Sequence, residues 1–413
     1  MYKVKTLNKI SKIGLNVFTD KYTVADDCEN PDAILVRSAK MHDMEFNPEL
    51  LCIARAGAGT NNIPCDRCAE EGIVVFNTPG ANANSVKELV ICALLLASRD
   101  IVGGIKWVDS IAGTEDVAGQ VEKGKSAYVG PEITGKALGV IGLGAIGAKV
   151  ANDAVRLGMK VYGYDPYISV EAAWRLSAGV IHATDLDTIF RECDYITIHA
   201  PYMESTKHTI NAQAIEKMKN GVRIINLARA ELVDDDAIIK AIEDGKVARY
   251  VTDFPNNKTA GVPGIVAIPH LGASTPESED NCAVMAANEI IDYLENGNIV
   301  NSVNMPAAHL PVTGDPRICI FHQNVPDMIA KITSLISSNG INIENMVNAS
   351  KKGAKYAYTL LDVLQVPDGI EDALKAIEDE KIQILFNGAN AGVLIKPLEG
   401  DDYTYMIMPM RLR

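Results

Sequence analysis

Long apolar runs are scarce in this sequence. The longest, LVICALLLA from Leu89 to Ala97, has nine residues, far short of the roughly 20 that a membrane-spanning helix needs. It reads as a buried helix, and no membrane partner is expected. Basic charge is also in short supply: 39 Lys and Arg stand against 53 Asp and Glu, a net charge of −14. Such a surface repels phosphate backbones and argues against nucleic acid, though it leaves room for a local basic pocket that takes a small anion. The opening stretch MYKVKTLNKISKIGLNVF has neither a continuous apolar core nor a small-residue cleavage site, so no export leader is expected. Eight cysteines fall without a regular framework, as reduced thiols in a cytoplasmic protein would. Cys65 and Cys68 form one C-x-x-C with no second pair to complete a metal site, and read as structural.

What is present is α/β alternation. A chain of 413 residues exceeds one ordinary core and predicts two or three domains. AILVRS, LLCIARAG and GIVVFNTPG read as buried parallel strands punctuated by Gly or Pro, and NSVKELVICALLLASR reads as a long helix. A second α/β unit starts near Gly135, with apolar runs in DYITIHAP, VRIINLARA, VARYVTDF and GIVAIPHLG. Ser274 to Gly297 carries helix-start signals, including Pro276 in the first turn. NMPAAHLPVTGDP looks like a linker. Beyond it RICIFHQN, VPDMIAKITSLISSNG, the hairpin INIENMVNASKK–KYAYTLLDVLQV and GIEDALKAIED spell a small βαββα module of the α+β class. From about Lys381 onward there are strand-like pieces without a placeable pattern.

GLGAIG puts Gly142, Gly144 and Gly147 in G-x-G-x-x-G, after the strand ALGVI and before the helix AKVANDAV. In that context the first glycine permits a tight turn, the second lets a pyrophosphate approach backbone, and the third packs helix on strand. The pyrophosphate would rest on the helix N-terminus, at Ala145 and Ile146. Asp165 ends the next strand, where an acid bonds ribose hydroxyls and repels a 2′-phosphate, so NAD is favoured over NADP.

Arg229 in NLARA sits at the end of a buried strand, where ligands bind in open α/β sheets. It could grip a substrate carboxylate bidentately or form an ion pair with Glu231 or one of Asp234 to Asp236. His270 follows GIVAIP and could take a hydroxyl proton as hydride leaves the same carbon, or could be a satisfied structural histidine. His199 would be structural or border the cofactor. Asp253 could meet the nicotinamide amide or cap a loop.

Taken together, RAGAGTNNI, NTPGANANSVKELV, GKALGVIGLGAIG, YGYDPY, HAP, MKNGVRIINLARAELVDDDA and PHLGAST resemble the D-isomer-specific 2-hydroxyacid dehydrogenase family, in particular its phosphoglycerate-oxidising branch. The resemblance covers roughly residues 1 to 380. It implies a flavodoxin-like substrate lobe (1–97 and 284–305), a Rossmann NAD lobe inserted at 98–283, a linker at 306–316 and an ACT-like regulatory module in 317–413. It further implies NAD-dependent oxidation of 3-phosphoglycerate to 3-phosphohydroxypyruvate, with hydroxypyruvate reduction or a catalytically weak NAD-binding regulator as alternatives. Arg229 matches the carboxylate arginine, His270 the acid/base, and Asp253 the nicotinamide contact. His199, Ala200, Pro201 and Ala228 match cofactor-lining positions. Arg37, Ser38 and Arg55 match the substrate's phosphate end, and Ala58, Gly59 and Asn82 the substrate loop. His322, Asn324 and Asn342 match positions that hold L-serine, although Pro326-Asp327 stands where the family usually has Pro-Gly. A homo-oligomer, dimer or tetramer, is expected. ARAELVD departs from the usual Arg-Gly-Gly.

One absence matters more than the others. Between Asp253 and His270 there is no acidic residue, whereas relatives usually pair that histidine with a Glu. The place falls near Asn257 or Lys258. His270 then works unpaired, or a carboxylate from elsewhere substitutes, or catalysis is weak.

Overall fold

The computed structural model describes residues 1–366 and three short strands beyond them. The chain begins with five parallel strands: β1 (Tyr2–Leu7), β2 (Tyr22–Ala25), β3 (Ala33–Val36), β4 (Cys52–Arg55) and β5 (Val74–Asn77), with the short helices α1 (Lys12–Leu15) and α2 (Cys65–Glu70) among them. Their spatial order is β2-β1-β3-β4-β5, the flavodoxin-like order. The apolar β3, β4 and β5 are the strands expected from sequence. β1 is not visible there because Lys3 and Lys5 interrupt its apolar residues. The lysines run out of the sheet, where their ammonium groups reach Glu29 O and Cys28 O, so only their stems lie along it.

Next come α3 (Ala83–Ser98), α4 (Ile101–Ser110), α5 (Val117–Gly124), β6 (Ala137–Ile141), α6 (Ala145–Arg156), β7 (Lys160–Tyr164), α7 (Val170–Trp174), β8 (Val180–His182), α8 (Leu186–Glu192), β9 (Tyr195–Ile198), α9 (Ala212–Lys217), β10 (Val222–Asn226), α10 (Asp235–Glu243), β11 (Val247–Thr252) and β12 (Ile265–Ala267). Their strands form one parallel sheet ordered β12-β11-β10-β9-β6-β7-β8. The order reverses between β6 and β9, which is the switch point where a doubly wound sheet opens a crevice.

Contacts divide the chain into two compact units, Met1–Ala81 with Glu279–Arg413, and Asn82–Ser278. The second unit starts before α3 rather than at Ser98. The reason is packing: Val86, Val90, Leu94 and Ala97 of that helix share a core with Leu138, Val140 and Val150. It ends before Ala283, since α11 (Pro276–Asn296) buries Ala283, Ala286, Ile290 and Tyr293 with Leu35, Ala54 and Phe76 of the first sheet. Among the described residues no helix is long and apolar enough to cross a membrane.

The chain closes with β13 (Arg317–Gln323), α12 (Met328–Ser338), β14 (Ile343–Ser350), β15 (Tyr356–Val363), β16 (Gln383–Asn387), β17 (Val393–Leu394) and β18 (Met408–Pro409), an antiparallel sheet ordered β14-β15-β13-β16-β17-β18. The helix expected at GIEDALKAIED lies outside the described residues. Alternation splits the sheet's side chains between its faces. Ile318, Ile320 and Leu361 meet Met328, Ile332 and Ile336 of α12. Cys319, Phe321, Tyr358 and Leu360 instead join the first unit's core beside Tyr293, Ile299 and Met305. Arg317 strengthens the attachment by donating to Asn296 O (2.9 Å) and Pro311 O (2.8 Å), and Tyr358 donates to Gly297 O (2.7 Å). The stretch read as a linker is pinned as well: Ala308 N donates to Ile299 O and Leu310 N to Asn298 Oδ1.

Asp327, at the start of α12, stands at φ 71°, ψ −9°. It therefore adopts the left-handed turn that a glycine takes without strain, a conformation Asp tolerates at a cost. Asp327→Gly is expected to stabilise the chain by about 0.5 kcal/mol, the relief of strain being partly offset by glycine's greater freedom when unfolded. A urea midpoint that falls at unchanged slope would contradict this.

Candidate active site

The glycine turn after β6 is built as its sequence requires. Gly142 takes φ 90°, and a Cβ there would come within 2.8 Å of the His199 carbonyl carbon. A Cβ on Gly147 would strike the Gly142 carbonyl oxygen, so α6 can lie this close only with glycine at that position. A Cβ on Gly144, the cap of α6, would meet nothing within 4 Å, which leaves the helix N-terminus with Ala145 and Ile146 open for an anion. Asp165, just after β7, accepts from Leu143 N (2.8 Å) and Tyr167 N (2.9 Å). Its carboxylate thus ties the strand end to the glycine turn and keeps further lone pairs for a ribose hydroxyl.

His199 follows β9 beneath the same turn. Its Nε2 lies 3.0 Å from Thr197 Oγ1, while Nδ1 is buried without a hydrogen-bond partner. Burial pushes the imidazole down to about 4, so it is neutral at ordinary pH. The next residues, Ala200 and Pro201, form a loop that Thr206 Oγ1 holds by donating to Pro201 O (2.8 Å).

Arg229 leaves β10 through a tight turn at Ala230–Leu232. Its guanidinium is exposed; Nη1 donates to Ala228 O (2.6 Å), and among the described residues it forms no ion pair. None of the nearby acids pairs with Arg229 among the described residues; Asp234 accepts from Asp236 N and Ala237 N, Asp235 from Asn256 and Asp236 from Lys258. The backbone of Arg229 is set by Asn226, which sequence reading missed. That fully buried carboxamide donates to Arg229 O (2.8 Å) and accepts from Ala228 N (3.2 Å). Its signal was a single polar residue ending a strand that is otherwise apolar at every buried position.

Asp253, immediately after β11, is 2% exposed, and among the described residues neither carboxylate oxygen has a hydrogen-bond partner in another residue. Burial pushes its carboxyl up, opposed first by the charge of His270, then by its own backbone N–H, and more weakly by the charge of Arg229. The three residues thus share one electrostatic field. His270, following β12, is exposed, and its ring sits 4.7 Å from that of Phe254 at 52°. No carboxylate lies within hydrogen-bonding reach of it among the described residues. In the loop after β11, Lys258 pairs with Asp236 at the start of α10 (2.8 Å). The His270 loop is steadied elsewhere, by Ser85 Oγ of α3 donating to Gly272 O (2.6 Å). Phe254 and Ser85 are therefore the supports that sequence reading did not find.

In the first unit, the remaining residues gather at the carboxyl ends of β3, β4 and β5. Arg37 Nη2 donates to Glu279 Oε1 of α11 at 2.5 Å. Ser38 N donates to Asn8 Oδ1 (2.9 Å). Arg55 Nε donates to Arg37 O (3.0 Å) and Nη1 to Gly59 O, so this guanidinium shapes the loop at Ala58 and Gly59. Asn77 Nδ2 donates to Ala58 O (2.5 Å). Asn82 caps α3 and belongs to the second unit. In the terminal module, His322 is buried with Nδ1 2.8 Å from Gln323 O and Nε2 3.0 Å from Thr359 Oγ1. Asn324 and Asn342 are exposed and donate to Ala354 O and Glu344 Oε1.

NAD fits these residues. The glycine cradle, the unpartnered Nδ1 of His199 and the orphaned Asp253 carboxylate are polar provisions that the protein itself does not satisfy. Comparison with known proteins agrees. The model of the family described as D-isomer specific 2-hydroxyacid dehydrogenase, NAD binding domain, matches residues 93–272. A hydroxypyruvate reductase of Thermotoga maritima is 38% identical over 64% of this chain and 85% of its own. A D-3-phosphoglycerate dehydrogenase of Haemophilus influenzae is 30% identical over 78% and 77%. The chain spans 64% of a Bacillus subtilis D-3-phosphoglycerate dehydrogenase to which it is 32% identical over 82% of its own length, and 54% of the Synechocystis one. A solved structure of NAD+-bound 3-phosphoglycerate dehydrogenase from Entamoeba histolytica superposes with a TM-score of 0.56 at 26% identity, covering 73% of this chain and 98% of that one. The chain belongs to the D-isomer specific 2-hydroxyacid dehydrogenase family.

Proposed function

We propose that the chain oxidises 3-phospho-D-glycerate at C2, with L-serine as an effector. The observation that carries the reading is the joint placement of Arg229, Asp253 and His270 after β10, β11 and β12, in the sheet whose β6 opens the dinucleotide turn. NAD, when bound, supplies the hydride acceptor. Arg229 offers an exposed planar fork to the substrate carboxylate. Asp253 offers a buried acceptor for the cofactor's amide. His270 takes the C2 hydroxyl proton, and its exposure lets that proton pass on to water. In the terminal module, Asn324 and Asn342 present exposed carboxamides to serine, while His322 of β13 braces the sheet from within through Thr359 of β15. The chain works as a homo-oligomer in the cytoplasm on this reading.

A second reading, reduction of hydroxypyruvate, is favoured by one observation: the arginine assigned to the phosphate end is already paired with Glu279. The test is NADH formation from 3-phospho-D-glycerate against D-glycerate, with and without millimolar L-serine. Turnover of the phosphorylated acid that falls with serine supports the first reading. Turnover of glycerate alone selects the second, and indifference to serine removes the effector.

A further inference from the structure

We infer that Glu279 is a specificity residue that sets how strongly the chain favours a phosphorylated over an unphosphorylated 2-hydroxyacid. The inference rests on the reading that the carboxyl ends of β3 and β4 receive the far end of the substrate. Two arginines stand at that edge, and both are engaged. Arg55 is spent on the carbonyls of Arg37 and Gly59, so it holds a loop. Arg37 is held by the Glu279 carboxylate, 242 residues away in sequence.

The two engagements differ in kind. Backbone carbonyls are part of the loop and cannot leave without unmaking it. A carboxylate on a flexible stem can leave. The side chains of Arg37 and Glu279 are 43% and 42% exposed, and pairs this open to water hold weakly. An incoming anion can therefore displace Glu279, but the displaced carboxylate stays tethered to the early turns of α11, close to the ligand. Its repulsion grows with the ligand's charge. A phosphate dianion meets it in full, whereas a neutral hydroxymethyl end needs no displacement and can leave the pair in place. Glu279 thus handicaps the phosphorylated acid selectively, and the Arg37–Glu279 pair makes the edge usable by both.

The experiment uses the full chain with NAD present and compares wild type, Glu279→Gln and Glu277→Gln. Glu277 is an exposed acid two residues earlier on α11, and its change removes the same charge without touching Arg37. Binding of 3-phospho-D-glycerate and of D-glycerate is measured by calorimetry, alongside NADH formation from each. Glu279→Gln is expected to raise the preference for the phosphorylated acid about tenfold, through Kd and KM rather than kcat, with the glycerate values changed less than about twofold. Glu277→Gln leaves the preference unchanged. An unchanged preference in Glu279→Gln, or an equal rise in Glu277→Gln, overturns the inference. No NADH from either acid in any variant would sink the dehydrogenase reading instead, and the calorimetric preference would still decide the role of Glu279.

Discussion

Replacing His270 by alanine lowers kcat for hydroxyacid oxidation by about 10²- to 10⁴-fold, the range set by loss of a general base, and leaves NADH binding within about twofold. The geometry explains why the effect should fall on kcat. His270 is exposed and makes no hydrogen bond among the described residues, so its removal leaves no buried group unsatisfied there and the lobe should fold as before. On the proposed reading, Asp253 remains to meet the cofactor and Arg229 remains to hold the carboxylate. Only the proton acceptor is gone. Phe254→Ala provides the graded counterpart. Among the described residues no carboxylate bonds the histidine, and the Phe254 ring at 4.7 Å is its packed neighbour. Loss of that ring should cost about tenfold in kcat, in keeping with the sensitivity of catalysis to misplacement. A His270→Ala variant within threefold of wild type would show that another group takes the proton.

The second large effect is on stability. Asp362→Ala is expected to destabilise the chain by about 3–5 kcal/mol, the usual consequence of stranding one partner of a buried ion pair. Arg317 and Asp362 are 5% and 1% exposed, and the pair is bidentate at 2.6 and 3.2 Å. Without the aspartate, the guanidinium keeps its backbone carbonyl acceptors but loses its counter-charge in a site with little water. Replacing both by apolar residues, Arg317→Met with Asp362→Leu, should recover most of the loss in the charge term. It should not recover all, because the bonds from Arg317 to Asn296, Leu310 and Pro311 go as well. Urea unfolding of the single and double variants measures both. A single-variant loss below about 1 kcal/mol would mean that water reaches the pair.

Much of the second unit could be read from sequence because its information is local. Strands covered on both faces become continuous apolar runs, and the glycine turn needs its glycines at fixed places for reasons internal to the turn. The place of Asp165 just after β7 was legible by spacing for the same reason. What was not legible depends on pairs far apart in the chain. Nothing in LVRSA or PESED says that Arg37 and Glu279 meet. Asn226 looked like the end of a strand until its carboxamide was found under Arg229. Lys258 meets Asp236, 22 residues away, a pairing that nothing in the sequence announces. The flavodoxin-like order needed β1, whose lysines disguise it. In the last module, Cys319 and Phe321 read as ordinary strand residues, because sequence cannot distinguish a face that packs on its own helix from one that packs on another lobe.

That last face has a consequence for how the gene can be cut. Cys319, Phe321, Tyr358 and Leu360 complete the same core that the first sheet and α11 build. The regulatory-looking segment is therefore a shared wall and not a detachable annex. Deleting everything after the Pro-rich stretch would strip that wall and expose Tyr293, Ile299 and Met305 to water. A truncated protein that aggregates or loses turnover would then report the loss of masonry, and would say nothing about signalling. Point changes on the exposed side, at Asn324 or Asn342, are the way to test the proposed serine response while leaving the house standing.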